Sequence, residues 1–423
     1  MKTLTLLLVA LTLTIFGSAQ NLIDIYQTGK VKLVADTQFG KNNDWNKVFE
    51  TYTDSMGGTH IGRRKSLVVL PDGSIVVNHA YQQFFTKFSS KGEFLKEFSI
   101  KSSSGKVMNT PGIEGVLDNS ILYTGVTNYG KMFCADLDGN LLKTLDINYM
   151  TRGIIPLPNR KFAIVGWVIW KTKFRDFLAI KDYETGEEKI IWDHFVDRND
   201  NAKEIQITNK TGEKISVTIM SASENMGYRP NPIIALTPQN ELLLSIPPTG
   251  EMIFFDLNGK QLRSKKVNWE NGEIPAEEMG KTYQLNLEKM QKYQENENLI
   301  KSYGEEGAKF YVDELIKDYE KNKEKYTQAK DLPYFSTIIK DSDGNLLFFE
   351  YASEAGDNSF NVYTFNGQGN FVCKSSFECD NYDLEINSQK LAFKGGFLYG
   401  LQELKNASGI PMRLVKFKLE PAN

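Results

Sequence analysis

Ser66-Leu67-Val68-Val69-Leu70-Pro71-Asp72-Gly73-Ser74-Ile75-Val76-Val77, followed by Phe84-Phe85-Thr86-Lys87-Phe88-Ser89-Ser90-Lys91-Gly92-Glu93-Phe94-Leu95, decides the fold. The phrase is an apolar run, a tight turn, a second apolar run, then an aromatic strand and a glycine turn. Asp-Gly and Asn-Gly-type pairs supply the positive φ that two-residue hairpins require, so each phrase reads as a meander of antiparallel strands. The first two runs are almost continuously apolar, as expected of strands packed on both faces. The second-turn glycines Gly92, Gly139 and Gly186 are 47 residues apart twice over, the period of one four-stranded propeller blade.

Five further copies follow. They turn at Asp118-Asn119-Ser120, Pro158-Asn159-Arg160, Pro238-Gln239-Asn240, Asp343-Gly344-Asn345 and Lys394-Gly395-Gly396. One such unit has nowhere to bury its two faces, so the copies must stack in a ring. The expectation is an all-β, six-bladed β-propeller forming a single domain over residues 20–423. The sixth copy ends at Leu419 without a fourth strand, while Lys30–Ala35 is an orphan strand, predicted to close the last blade. Two insertions interrupt the period. Residues 192–231 hold a hairpin turning at Asn209-Lys210-Thr211-Gly212 that projects from the third blade or bridges to the fourth. Residues 276–330 have apolar positions at helical spacing, broken at Ser302 to Gly307, which predicts a helical hairpin between blades four and five. It is either a solvated pair packed on the rim or a lid that gates a ligand.

Lys2, the apolar run Leu4 to Phe16 and the small residues Gly17-Ser18-Ala19 make a secretory signal peptide over residues 1–19, which implies a periplasmic or secreted protein. No run approaches the roughly 20 apolar residues of a spanning helix. The formal charge of −3 becomes −4 when Lys2 leaves with the leader, too small to imply nucleic-acid binding through bulk electrostatics. Three cysteines are too few for a disulfide framework: Cys373 and Cys379 either pair across a strand bend or, with Cys134, remain thiols. Asn209-Lys210-Thr211 and Asn406-Ala407-Ser408 match a glycosylation sequon, and Asp54-Ser55-Met56 a short O-glycosylation pattern.

With its signal peptide, its phrases Leu70–Val77, Phe88–Leu95 and Lys340–Tyr351, and its late helical insertion, the chain resembles the six-bladed β-propellers of the TolB-like and NHL-like class, especially secreted bacterial members without assigned function. The resemblance implies an architecture that hosts lyases, lactonases, receptors and structural domains alike, so function must be argued from the site. In such propellers the tunnel mouth is built from residues just before each innermost strand and from the loops joining second and third strands, where ligands favour the concave end.

Those positions concentrate arginine, which is scarce in this chain. Arg63, Arg64, Arg152 and Arg229 precede innermost strands, His79, Tyr81, Asn128, Trp167 and Tyr351 fall in the loops, and Glu114 and Tyr228 lie near the arginines. Arginine suits planar contact with carboxylate or phosphate, and rings beside it can stack on a ligand. The expected function is non-enzymatic binding of an anionic small molecule, glycan or peptide. The alternative for the arginines is pairing with acids such as Glu114 to lock neighbouring blades. Competing functions are a protein-interaction scaffold and a metal-dependent hydrolase or lyase. The hydrolase would hold calcium through Glu114, Asn128 and Asn231, although four arginines at the same mouth would repel the ion. The histidines His60, His79 and His194 match no zinc spacing. No cofactor is otherwise expected.

Overall fold

The computed structural model describes residues 21–49, 52–53, 59–60, 66–78, 84–126, 130–170, 173–197, 202–220, 231–351, 359–386 and 390–422. The expected leader and its cleavage point lie outside them. The protein is mostly β. Four repeats are separate four-stranded antiparallel sheets, each with its strands in chain order. The first holds Leu67–Val69, Ile75–Asn78, Phe85–Phe88 and Phe94–Phe98, and the second Ile113–Leu117, Ile121–Val126, Lys131–Ala135 and Leu141–Asp146. The third holds Met150–Leu157, Lys161–Trp170, Lys173–Asp182 and Glu188–Asp197, and the fourth Ile233–Leu236, Leu242–Ile246, Glu251–Phe255 and Gln261–Lys266.

Turn chemistry sets these hairpins. Asp118, Asn119, Asn159 and Arg160 all have positive φ, the geometry of a two-residue turn matched to the twist of its strands. The turn before each fourth strand is held by its first side chain: Asp256 accepts the amides of Asn258 and Lys260, and Asp136 those of Asp138 and Asn140. Gly259 and Gly139 then sit at φ 86° and 94°, where a Cβ would be strained.

Apolar clusters join each sheet to its neighbour. Leu67, Ile75 and Val77 pack against Leu401 and Leu414 of the last repeat, whereas Val68, Val76 and Phe85 face Ile113 and Leu122 of the second. Both faces of the inner strands are therefore buried, which explains their unbroken apolar sequence. The first strands also neighbour one another in order: Leu67–Val69, Ile113–Leu117, Met150–Leu157, Ile233–Leu236, Thr337–Lys340, Leu391–Lys394, and again Leu67–Val69.

Lys30–Ala35 pairs antiparallel with Met412–Pro421, as the orphan strand was expected to do. It also pairs in parallel with Phe371–Glu378, outermost strand of the fifth repeat, so the fifth and sixth repeats merge into one nine-stranded sheet. That second pairing covers an edge that would otherwise be open. Ahead of it, the short helix Leu22–Tyr26 is pinned by the buried Tyr26 hydroxyl, which donates to Asp341 at 3.1 Å.

The two insertions pack together. Strands Ala202–Thr208 and Lys214–Met220 form the expected hairpin, and its Ile205, Ile207 and Ile219 are buried beside Tyr303, Tyr311 and Leu315 of helix Glu297–Lys321. That helix breaks at Gly304, inside the expected stretch, and a second break at Gln294–Asn296 separates it from helix Ala276–Tyr293. All three cysteines are free. Cys373 lies within strand Phe371–Glu378 and Cys379 just past its end; six extended residues put about 20 Å between them, far beyond disulfide reach.

Candidate functional site

Because strands alternate in direction, the start of each first strand, the second-to-third connection and the end of each fourth strand share one end of a sheet. Both insertions join a fourth strand to the next first strand, between Asp197 and Ile233 and between Lys266 and Thr337, so both leave from that end. At the same end two first strands carry a β-bulge. Pairing slips between Ile113 and Gly115 in the second repeat and between Thr151 and Gly153 in the third. The extra residues are Glu114 and Arg152, each near the start of the first strand of its repeat. A bulge re-aims a side chain that the regular pleat would direct elsewhere.

The Arg152 guanidinium lies 5.2 Å from the centre of the Trp167 ring and 3.2 Å from the Asp176 carboxylate. The Arg152 side chain is 23% exposed, with its Nε buried, and that of Asp176 only 5%. Stacking and ion pairing together fix an otherwise flexible side chain. This pair lies within one sheet.

The third sheet is built for this. Its last three strands run ten residues each, against four to six in the second, third and fourth strands of the first, second and fourth sheets. In the ladder Trp167 stands opposite Asp176, and Asp176 opposite His194. Cross-strand partners point to the same face, so Trp167, Asp176 and His194 form a row, with Arg152 at its inner end. Trp192, opposite Leu178 on that face, packs on the apolar cluster shared with the fourth sheet, and His194 stacks on its ring at 6.1 Å. The other face carries a separate pair, Arg175 with Asp193, beside Phe177 and Phe195.

Of the residues singled out in the sequence, Arg63, Arg64, His79, Tyr81, Asn128, Tyr228 and Arg229 lie outside the described residues. Arg152 and Trp167 come together, although Trp167 lies inside strand Lys161–Trp170 and not in a loop. Glu114 leans over its own sheet, where a Cβ on Gly125 would lie 3.1 Å from its carboxylate. Tyr351 packs against Ile274, Met279 and Leu332 at the foot of the helical insertion. Asp176 and Trp192 escaped the sequence reading, and His194 was weighed there only as a metal ligand, since only the register shows which face they share; the available signal was the Glu-Gly and Arg-Gly pairs, each a bulge residue followed by glycine. Among the described residues no three His, Cys, Asp or Glu side chains converge as metal ligands.

No family model matches the chain, and no curated protein does. Solved structures similar to it are β-propeller-like. A member of the DUF4221 family from Bacteroides vulgatus aligns over 93% of this chain and 100% of its own, at 11% identity and a TM-score of 0.47. Virginiamycin B lyase from Staphylococcus aureus aligns over 92% and 99%, at 11% and 0.36. BamB from Moraxella catarrhalis aligns over 85% of each chain, at 9% and 0.30.

Proposed function

We propose that this chain is an extracytoplasmic six-bladed β-propeller that binds an anionic small molecule, glycan or peptide, without catalysis, at the end where its first strands begin. The cyclic neighbourhood of the six first strands supports the ring. The observation that carries the binding role is Arg152, raised on a bulge and held between Trp167 and Asp176 at the end from which both insertions emerge. A guanidinium fixed before any ligand arrives loses little entropy on binding. Export is supported by the sequence of residues 1–19 alone.

A thermal-shift screen of residues 20–423 against uronate oligosaccharides, neutral oligosaccharides, acidic peptides and calcium tests this function. A ligand at a hundredfold excess over Kd stabilises the native state by about 2.7 kcal/mol. The expected result is that an anionic member of the panel, and no neutral oligosaccharide, raises Tm in the parent and fails to do so in Arg152→Ala. Stabilisation by calcium alone would transfer the assignment to a metal-dependent hydrolase or lyase, and silence across the panel would transfer it to a protein-binding scaffold.

A further inference from the structure

We propose that the Lys340 amine is a covalent capture site that takes an aldehyde as an imine, at the end of the sheets away from the insertions. The site is separate from Arg152 and does not depend on the anion-binding function. Lys340 is the last residue of strand Thr337–Lys340, the first strand of the fifth repeat, and leads into the turn over 341–345. In the ladder Lys340 stands opposite Leu346, and Ile338 opposite Phe348. Residues two apart on a strand share a face, so Lys340 continues the face of Ile338, which packs with Leu346 against Leu243 and Phe254 of the fourth repeat. Its side chain therefore belongs to the seam between the fourth and fifth repeats.

The seam is tight on this side. The fourth repeat's turn over 237–240 presses on the fifth, and a Cβ on Gly344 would lie 2.2 Å from the Pro238 ring. The half-buried Ala235 adds apolar surface. Lys340 is nevertheless exposed, so a solute can reach it. Its amine makes no hydrogen bond or ion pair with any described residue. Lys394, which ends the first strand of the sixth repeat, donates instead to the carbonyls of Leu70, at 2.8 Å, and Pro71. Crowding by protein atoms strips water from the Lys340 amine and lowers its pKa below the ordinary lysine value, with Asp341 opposing. The other acids at the two turns are engaged: Asp343 accepts the Leu22 amide, and Glu241 holds Arg263. The facing turn over 237–240 carries no charge. More of this amine is therefore neutral near pH 7 than in a fully solvated lysine, and the neutral amine is the form that attacks a carbonyl. The nitrogen pair bonds to the carbonyl carbon as the C=O pair moves to oxygen. Two protons pass from nitrogen to that oxygen, which departs as water and leaves C=N, so the step needs no oxidant or reductant.

The test is alkylation of residues 20–423 with substoichiometric benzaldehyde near pH 7, with cyanoborohydride to trap the imine and peptide mass spectrometry to read each lysine. The expected result is that Lys340 is alkylated at least fivefold faster than Lys91 and Lys210, two exposed lysines, and that its rate falls off at a lower pH than theirs. Denaturation in urea removes the difference. Arg152→Ala leaves the labelling unchanged, because the two sites stand at opposite ends of the sheets. Lys340→Gln loses the fast-labelled peptide while Lys91 and Lys210 react as before, with far-UV circular dichroism matching the parent. Equal rates for Lys340 and the two exposed lysines in the native parent, or a shared pH midpoint, would overturn the capture site whatever the variants do. A preference for Lys340 that survives in urea would trace it to local sequence and overturn the site as well. Neither result bears on the function proposed for Arg152.

Discussion

Single residues set the turns, and several of them titrate. The Thr185 amide leads the contacts holding the Asp182 carboxyl below the usual carboxylate range, the Lys260 amide does so for Asp256, and Arg263 for Glu241. In each case the folded value lies below the unfolded one. Their stabilisation is therefore complete above the unfolded values near pH 4 and is lost as pH falls through the folded ones. Tm should be flat from pH 7 to 5 and decline from about pH 4 downward. Glu241→Gln should make the decline shallower while lowering Tm at pH 7. A Tm that rises on acidification would contradict these assignments. Asp341 runs the other way: burial raises its carboxyl, and its bonds from Asn345 and the Tyr26 hydroxyl only partly offset that.

At the scale of elements, the hairpin and the long helix stabilise each other: Ile205, Ile207 and Ile219 are buried against that helix, whose Tyr319 also stacks on Tyr283 of helix Ala276–Tyr293. Gly307 sits where they meet. A Cβ there would lie 3.0 Å from the Thr208 carbonyl oxygen and 3.1 Å from an Ile207 methyl. Gly307→Leu should therefore lift the hairpin, although leucine favours a helix over glycine by roughly 1 kcal/mol. Limited proteolysis should then cut the Asn209–Gly212 turn faster, with the main unfolding transition little changed. Unaltered cleavage would mean that the hairpin stands without the helix. The sheets were legible at this scale because alternation and turn residues are local, and the hairpin likewise. Its docking was not, since Ile205, Ile207 and Ile219 could have faced a neighbouring sheet equally well.

Across the whole molecule, the N-terminal strand ties the two ends of the chain together. Leu22, Ile25, Tyr26, Val31 and Leu33 are all buried in the cluster that joins the fifth and sixth repeats. At roughly 1.5–3 kcal/mol for each buried side chain, the clasp contributes an amount comparable to the roughly 5–15 kcal/mol by which a domain is stable. Removing residues 20–35 should abolish cooperative unfolding, whereas a truncated protein melting at the parent temperature would refute the clasp. The amino-acid sequence by itself determined the repeated meanders, their turns, the closing strand and both insertions, because each follows from period, turn chemistry or alternation within a few dozen residues. Only the tertiary structure decided that Lys30–Ala35 would also pair with the fifth repeat, that the insertions would meet, and that Arg152 would find Asp176. Those outcomes depend on register and on bulges at Glu114 and Arg152. A slip of one residue moves every side chain of a strand to the opposite face, so the composition of a face is fixed by pairing between distant segments.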